Sequence, residues 1–271
     1  MPFRKMVQPG KLRGITQGSI FNHARSDDFK EDVLGMVISA RCDLAQQKQE
    51  KFIYVPLIKA KHWFDFHVIP KLIEECRKSL IADLKNILVQ NKNAESVIET
   101  FGAIKCGDLL IDSKDHVKYI KKLDDLSRIE YCITSGQNDK SLISPKKLAA
   151  KIDEVVSNKV EGFFLVDNIV DYQNNKVELG SYIAILGEPR PIHKTAALGI
   201  AEGLDHSDIT QHDRTYDSIS RVEGEMSYVL CNITSPYIEL VLQRFSGLYS
   251  RIGVENPSSK IKEILHLEAM A

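Results

Sequence analysis

The chain has 271 residues, 43% of them hydrophobic and 27% charged, with a formal net charge of −1. That is the composition of a globular protein long enough to bury a core, and a balance so near neutral excludes a protein whose whole surface coats nucleic acid. The five cysteines (Cys42, Cys76, Cys106, Cys132, Cys231) are odd in number and never form a C-x-x-C pair, which excludes a disulfide framework and predicts reduced, mostly buried thiols.

No stretch approaches the length of a membrane span, and no apolar run follows the basic N-terminus, so a cytoplasmic protein that leaves membranes alone is expected. Residues 1–26 carry Arg4, Lys5, Lys11, Arg13 and Arg25 and no acid. This is a local basic stretch, with residues 1–13 read as a loose arm around Pro9-Gly10. Gly18-Ser19-Ile20-Phe21 reads as a short strand, and the charged connection 22–32 as exposed.

Residues 33–58 read as strand, polar connection, strand. Val33 to Ser39 and Phe52 to Ile58 are apolar on both faces and rich in β-branched and aromatic residues. A long amphipathic helix over 70–90 follows, with Pro70 at its start and Leu72, Cys76, Leu80, Leu84 and Leu88 at four-residue steps. Residues 104–111 read as a short strand and 116–131 as a helix. The polar stretch 135–140 is the best internal boundary, dividing 1–133 from 134–271, with the two parts packed as one body.

Ser144-Pro145 supplies a cap and a first-position proline for the next helix. Residues 162–170 and 177–186 form a hairpin. Pro189-Arg190-Pro191 is expected to stop pairing, 195–204 to be a short helix and 205–217 a solvated loop. A long strand over 221–233 puts Met226, Tyr228 and Leu230 on one face. A helix from Ser235-Pro236 ends at Gly253, and a weaker one covers 257–271.

Chemistry concentrates at Arg41-Cys42-Asp43. A thiolate beside a guanidinium is a nucleophile, for which His23 is the nearest general base by topology. The alternative is structural: Cys42 as a buried small hydrophobe and Asp43 as a turn cap, the usual fate of a free cysteine. Arg244 and Arg251, seven apart on one helix, border its apolar stripe. Their partners are Asp43 and Glu50, in structural salt bridges, or a phosphate. His62, Asp65 and His67, and His206, Asp208, His212 and Asp213, lack a recognised ligand spacing. No metal or other cofactor is expected.

Gly18-Ser19-Ile20-Phe21, Gly35-Met36-Val37-Ile38-Ser39 and Tyr54-Val55-Pro56-Leu57-Ile58 together resemble the strand core of the PemK/MazF-like toxins, over about residues 14–60. The resemblance implies a small SH3-like barrel and an activity on RNA. The family's catalytic arginine follows the first strand, where this chain offers only Arg25. The family's Thr or Ser at the end of the later strand is replaced by Ile58.

The expected fold is therefore α+β: a strongly bent, SH3-like β-barrel or sheet unit with several long amphipathic helices packed outside. Two functions are expected. One is a non-catalytic interaction subunit of a toxin–antitoxin-like or defence assembly, docking on a partner protein through its helices and basic arm. The other is an RNA-binding or RNA-cleaving barrel that uses Arg25, Arg41 and Asp43 as catalytic residues, with Cys42, Arg244 and Arg251 binding. Near-neutral charge and the missing family pair favour the first.

Overall fold

The computed structural model describes residues 4–249, apart from Leu12, Asp32, Gln211 and His212, together with Glu268. The expected end of the last helix near Ile252, its stop at Gly253 and the helix over 257–271 lie outside the described residues, as does Arg251.

The strands are β1 (Val7–Gln8), β2 (Ser19–Phe21), β3 (Leu34–Val37), β4 (Lys51–Lys59), β5 (Phe163–Asp171), β6 (Val177–Ile185), β7 (Arg190–His193), β8 (Leu204–Asp205), β9 (Met226–Ser227) and β10 (Val229–Ile233). All but β8 and β9 join one antiparallel eight-stranded sheet in the order β1-β10-β2-β3-β4-β6-β5, with β7 also on β4. The sheet interleaves strands from both ends of the chain and curls into a nearly closed barrel. Across the seam, Tyr172 N donates to the Leu230 carbonyl at 3.1 Å, and Arg4 Nε donates to Asp167 Oδ2 at 2.8 Å. The fold is thus α+β with an SH3-like barrel.

Why its strands are apolar on both faces follows from where those faces go. Side chains alternate along a strand. Ile20, Met36, Val55, Leu57, Phe164, Val166, Tyr182 and Ala184 fill the barrel interior, where Ile238 and Val241 join them from the last helix. The intervening Phe21, Val37, Tyr54, Ile58, Leu165 and Ile183 form a second core outside the barrel, against the helices. A sheet buried on both sides needs no polar face.

The outer layer is helical: α1 (Arg41–Gln46), α2 (Ala60–Trp63), α3 (Ile69–Gln90), α4 (Val97–Cys106), α5 (His116–Ser135), α6 (Pro145–Val156), α7 (Lys194–Glu202) and α8 (Tyr237–Tyr249). The stretch α2 to α6 is inserted between β4 and β5. A π-helical turn, Phe64–Val68, joins α2 to α3 directly off the end of β4, with Trp63 buried as its anchor. Leu72, Ile73, Leu84, Ile87 and Leu88 bury the inward stripe of α3, which packs along α5. At the far end Leu84, Leu88, Ile98, Leu110 and Tyr119 make a small third core. Ser144 Oγ caps α6 by accepting from Lys147 N at 3.3 Å.

Several local readings give way to tertiary structure. The N-terminal arm is not loose: Val7 pairs with Ile233, and Met6 is buried in the barrel. Residues 104–111 are not a strand but the end of α4 followed by a 3-10 turn, Asp108–Leu110, whose Leu110 faces the third core. Pro191 does not stop pairing; it sits in β7, opposite Ile53. A proline is tolerated there because β7 has an open edge. The expected strand over 221–233 is broken at Tyr228. The Asn22 carboxamide donates to the Met226 carbonyl at 2.9 Å and accepts from Tyr228 N at 2.7 Å, occupying the groups a ladder would use. So β9 pairs with β8 instead. Nor is 205–217 only a solvated loop. His206 is buried, its Nε2 2.8 Å from Ser227 Oγ, and Asp205 and Asp213 each begin a 3-10 turn.

Candidate functional site

Ser39 decides where Arg41, Cys42 and Asp43 go. Its Oγ accepts from Ile53 N at 2.7 Å, ending the β3–β4 ladder with a side chain. The chain then turns directly into α1, and Leu44 N donates to the Ala40 carbonyl at 3.2 Å. Arg41 and Cys42 stand in the exposed first turn of that short helix, not at a buried strand end.

The expected cluster is therefore dispersed. Cys42 is exposed, contrary to the packing reading. Asp43 is no cap, since the cap position is Ala40; its carboxylate accepts from Gln49 Nε2 at 3.0 Å instead of meeting Arg244. Among the described residues Glu50 pairs with Lys194 at 3.4 Å and His193 at 3.8 Å, not with an arginine. Arg244, half-buried on α8, has no ion-pair partner among the described residues. Arg25 contributes backbone: its N donates to the Ser218 carbonyl at 3.2 Å, and its carbonyl accepts from Tyr54 OH at 3.0 Å. Its side chain is exposed. His23 is no base for Cys42, because it lines a different hollow, of about 540 Å³, with Lys30 and Glu225 near the other end of β3. Among the described residues no group of three or more His, Cys, Asp or Glu is placed to hold a metal ion.

Arg41, in contrast, opens onto a wide groove of about 990 Å³ along β1, β10 and the turn before β2. Lys5, Lys11 and Arg41 supply its charge, Gln8, Thr16, Gln17, Thr234 and Ser235 its hydrogen-bonding walls, and Tyr172 its aromatic ring. Among the described residues its lining includes no carboxylate or imidazole, although Arg41 is itself paired with the Glu239 carboxylate. The Arg41 guanidinium lies 3.6 Å from Glu239, a pair exposed on both sides and hence weak.

At the bottom of this groove stands Asn232. It is 6% exposed, and its Oδ1 has no hydrogen-bond partner among the described residues. An unsatisfied buried acceptor costs about 1–3 kcal/mol, which a ligand donating to it would recover. The groove therefore offers cations for an anionic backbone and an amide acceptor for an N–H or O–H group.

Of these residues the sequence flagged Arg41 and the acid-free basic stretch. It missed Asn232, whose signal was a single amide inside the apolar run Val229-Leu230-Cys231-Asn232-Ile233. Among the described residues no helix is long and apolar enough to cross a membrane. Comparison of the chain with protein-family models, curated proteins and solved structures finds no match.

Proposed function

We propose that the barrel binds an RNA strand in the Arg41 groove without cleaving it, as a non-catalytic interaction subunit of a larger assembly. The observation that carries this reading is a lining that, among the described residues, holds Lys5, Lys11 and Arg41 and no carboxylate, above a buried Asn232 whose Oδ1 has no partner there. Phosphates supply affinity for such cations, and an amide acceptor takes a base amino group or a 2′-hydroxyl. Cleavage through the 2′-hydroxyl needs a proton acceptor beside it. Among the described residues the lining has no His, Asp or Glu to serve, and Glu239, next to the lining, is paired with Arg41. The resemblance of residues 14–60 to PemK/MazF-like toxins supports RNA as the ligand, and Ile58 in place of the family's hydroxyl supports binding without cutting.

A second surface favours docking on a partner protein, as a toxin–antitoxin-like or defence assembly would require. Phe101 (60%), Ile104 (73%), Ile111 (61%) and Val117 (78%) are all exposed within one short stretch of the helical insert. Such concentration of large apolar side chains on a surface marks an interaction site.

Fluorescence anisotropy with labelled single-stranded RNA, followed by gel analysis of the same sample, tests the main reading. Saturable binding that weakens in Lys5→Ala and Arg41→Ala, with the RNA left intact, is the expected result. Absence of binding, or discrete fragments that vanish in Arg41→Ala, overturns it. For the docking surface, Val117→Asp should abolish retention of a host partner while leaving RNA binding unchanged.

A further inference from the structure

The groove does not end at Lys11. Lys11 also borders a second hollow of about 490 Å³, whose walls include Arg13, Gln173, Asn174 and Tyr228, with one carboxylate, Glu202, on the side of α7. Gly14 N donates to the Lys11 carbonyl at 3.3 Å, closing a turn that makes Lys11 the crest between the hollows. Arg13, at φ +49°, lines only the second hollow.

One tyrosine lines each side of this crest: Tyr172 the groove and Tyr228 the second hollow. Both are fixed by the seam that closes the barrel. Tyr172 N donates to the Leu230 carbonyl at 3.1 Å, and Tyr228 OH donates to Asp171 Oδ2 at 2.8 Å. Asp171 is itself buried and also accepts from Gln173 N and Asn174 N, holding the hairpin turn beside the hollow. Both side chains also pack, partly buried, against the barrel core, and placing the rings before a ligand arrives reduces the ordering cost of stacking on them.

We infer that the two hollows form one track for an extended single strand, which crosses the Lys11 crest with bases on Tyr172 and Tyr228 and phosphates on Arg41, Lys5, Lys11 and Arg13. This rests on the reading of the groove as an RNA site and names the form of RNA it takes. Alternating cations and aromatic rings suit unpaired nucleotides, since each base has a face to stack and a backbone charge to neutralise. In a duplex the bases are stacked on one another and are not free to turn onto separate rings.

The test is anisotropy with labelled RNA of about four and about eight nucleotides, and with a duplex of the longer length. For the wild-type protein the longer strand should bind about tenfold tighter than the shorter, because it adds a stacked base and a phosphate contact. Arg13→Ala, at an exposed position, should keep binding of the short strand and lose most of that gain; Tyr228→Leu should do the same. The duplex should bind about tenfold more weakly than the strand. A length gain undiminished in both variants, or a duplex bound as tightly as the strand, overturns the single-strand track while the groove stands. No binding of even the short strand to wild-type protein overturns the groove reading itself, and the track with it.

Discussion

Arg4 clasps Asp167 across the barrel seam. The Arg4 backbone N–H and Nε both donate to Asp167 Oδ2, at 3.0 and 2.8 Å, and a second guanidinium nitrogen donates to Oδ1. Burial disfavours the Asp167 charge, but the hydrogen bonds from Arg4 outweigh it and hold the carboxyl below its ordinary pKa. The contact fastens the segment before β1 to β5, next to the Met6 side chain that fills the barrel.

Asp167→Asn should therefore destabilise the protein by about 1.5–3 kcal/mol, the range for hydrogen bonds to a charged group. Because the native pKa is depressed, the contribution is complete above the ordinary Asp range of about 3.9 and is lost as pH falls through the lower native value. Urea denaturation of both proteins at several pH values reads this directly. The stability difference should be flat near neutral pH and shrink in acid; a difference that grew on acidification would refute the clasp.

Gly35 faces a different constraint. A Cβ at this position would lie 2.3 Å from Phe21 Cζ and 2.5 Å from Cε1. Phe21 is fully buried and holds an edge-to-face contact with Tyr54 at 5.4 Å, so its ring has nowhere to retreat. Gly35→Ala should cost about 1–3 kcal/mol by overpacking, seen as a lower denaturant midpoint with an unchanged slope.

Salt dependence counts phosphate contacts. If Lys5, Lys11 and Arg41 each neutralise one phosphate, each alanine variant should reduce the log–log salt slope of RNA binding by about 0.7. Equal slopes in wild type and all three variants would show that the cations do not touch the backbone. Lys114→Ala, on the helical insert, serves as the control and should leave the slope alone.

The thiols separate by position. Exposed Cys42 should react with a maleimide in the native protein, while Cys231, buried and pushed up to about 12 chiefly by desolvation, should react only after unfolding. Cys42→Ser should shift stability by no more than about 0.5 kcal/mol. Asp43→Ala should cost no more than about 1 kcal/mol, because it removes only two exposed bonds, from Gln49 Nε2 and the weak donor Cys42 Sγ. Mass spectrometry of pulse-labelled protein and a thermal melt decide both. Protection of Cys42 in the native state would count against the exposed first turn.

What the sequence determined by itself was local and periodic. Alternation over Phe52-Ile53-Tyr54-Val55-Pro56-Leu57-Ile58, with both phases apolar, specified a strand buried on two sides. Four-residue steps through Leu72, Leu80, Leu84 and Leu88 specified α3, and Ser144-Pro145 specified the start of α6. These features are written in neighbouring residues because side-chain direction repeats every two residues in a strand and every 3.6 in a helix.

Only the tertiary structure decided which strands meet. Asn22 bonds Tyr228 across 206 positions and breaks a strand that reads as continuous. Arg41 leaves Cys42 and Asp43 behind to join Lys5, Lys11 and Asn232, and Pro191 enters a ladder it would otherwise end. Periodicity states which face a side chain occupies but not which strand lies opposite. That pairing is settled by closing the barrel, where the gain in buried area on both faces outweighs the preferences of any single segment.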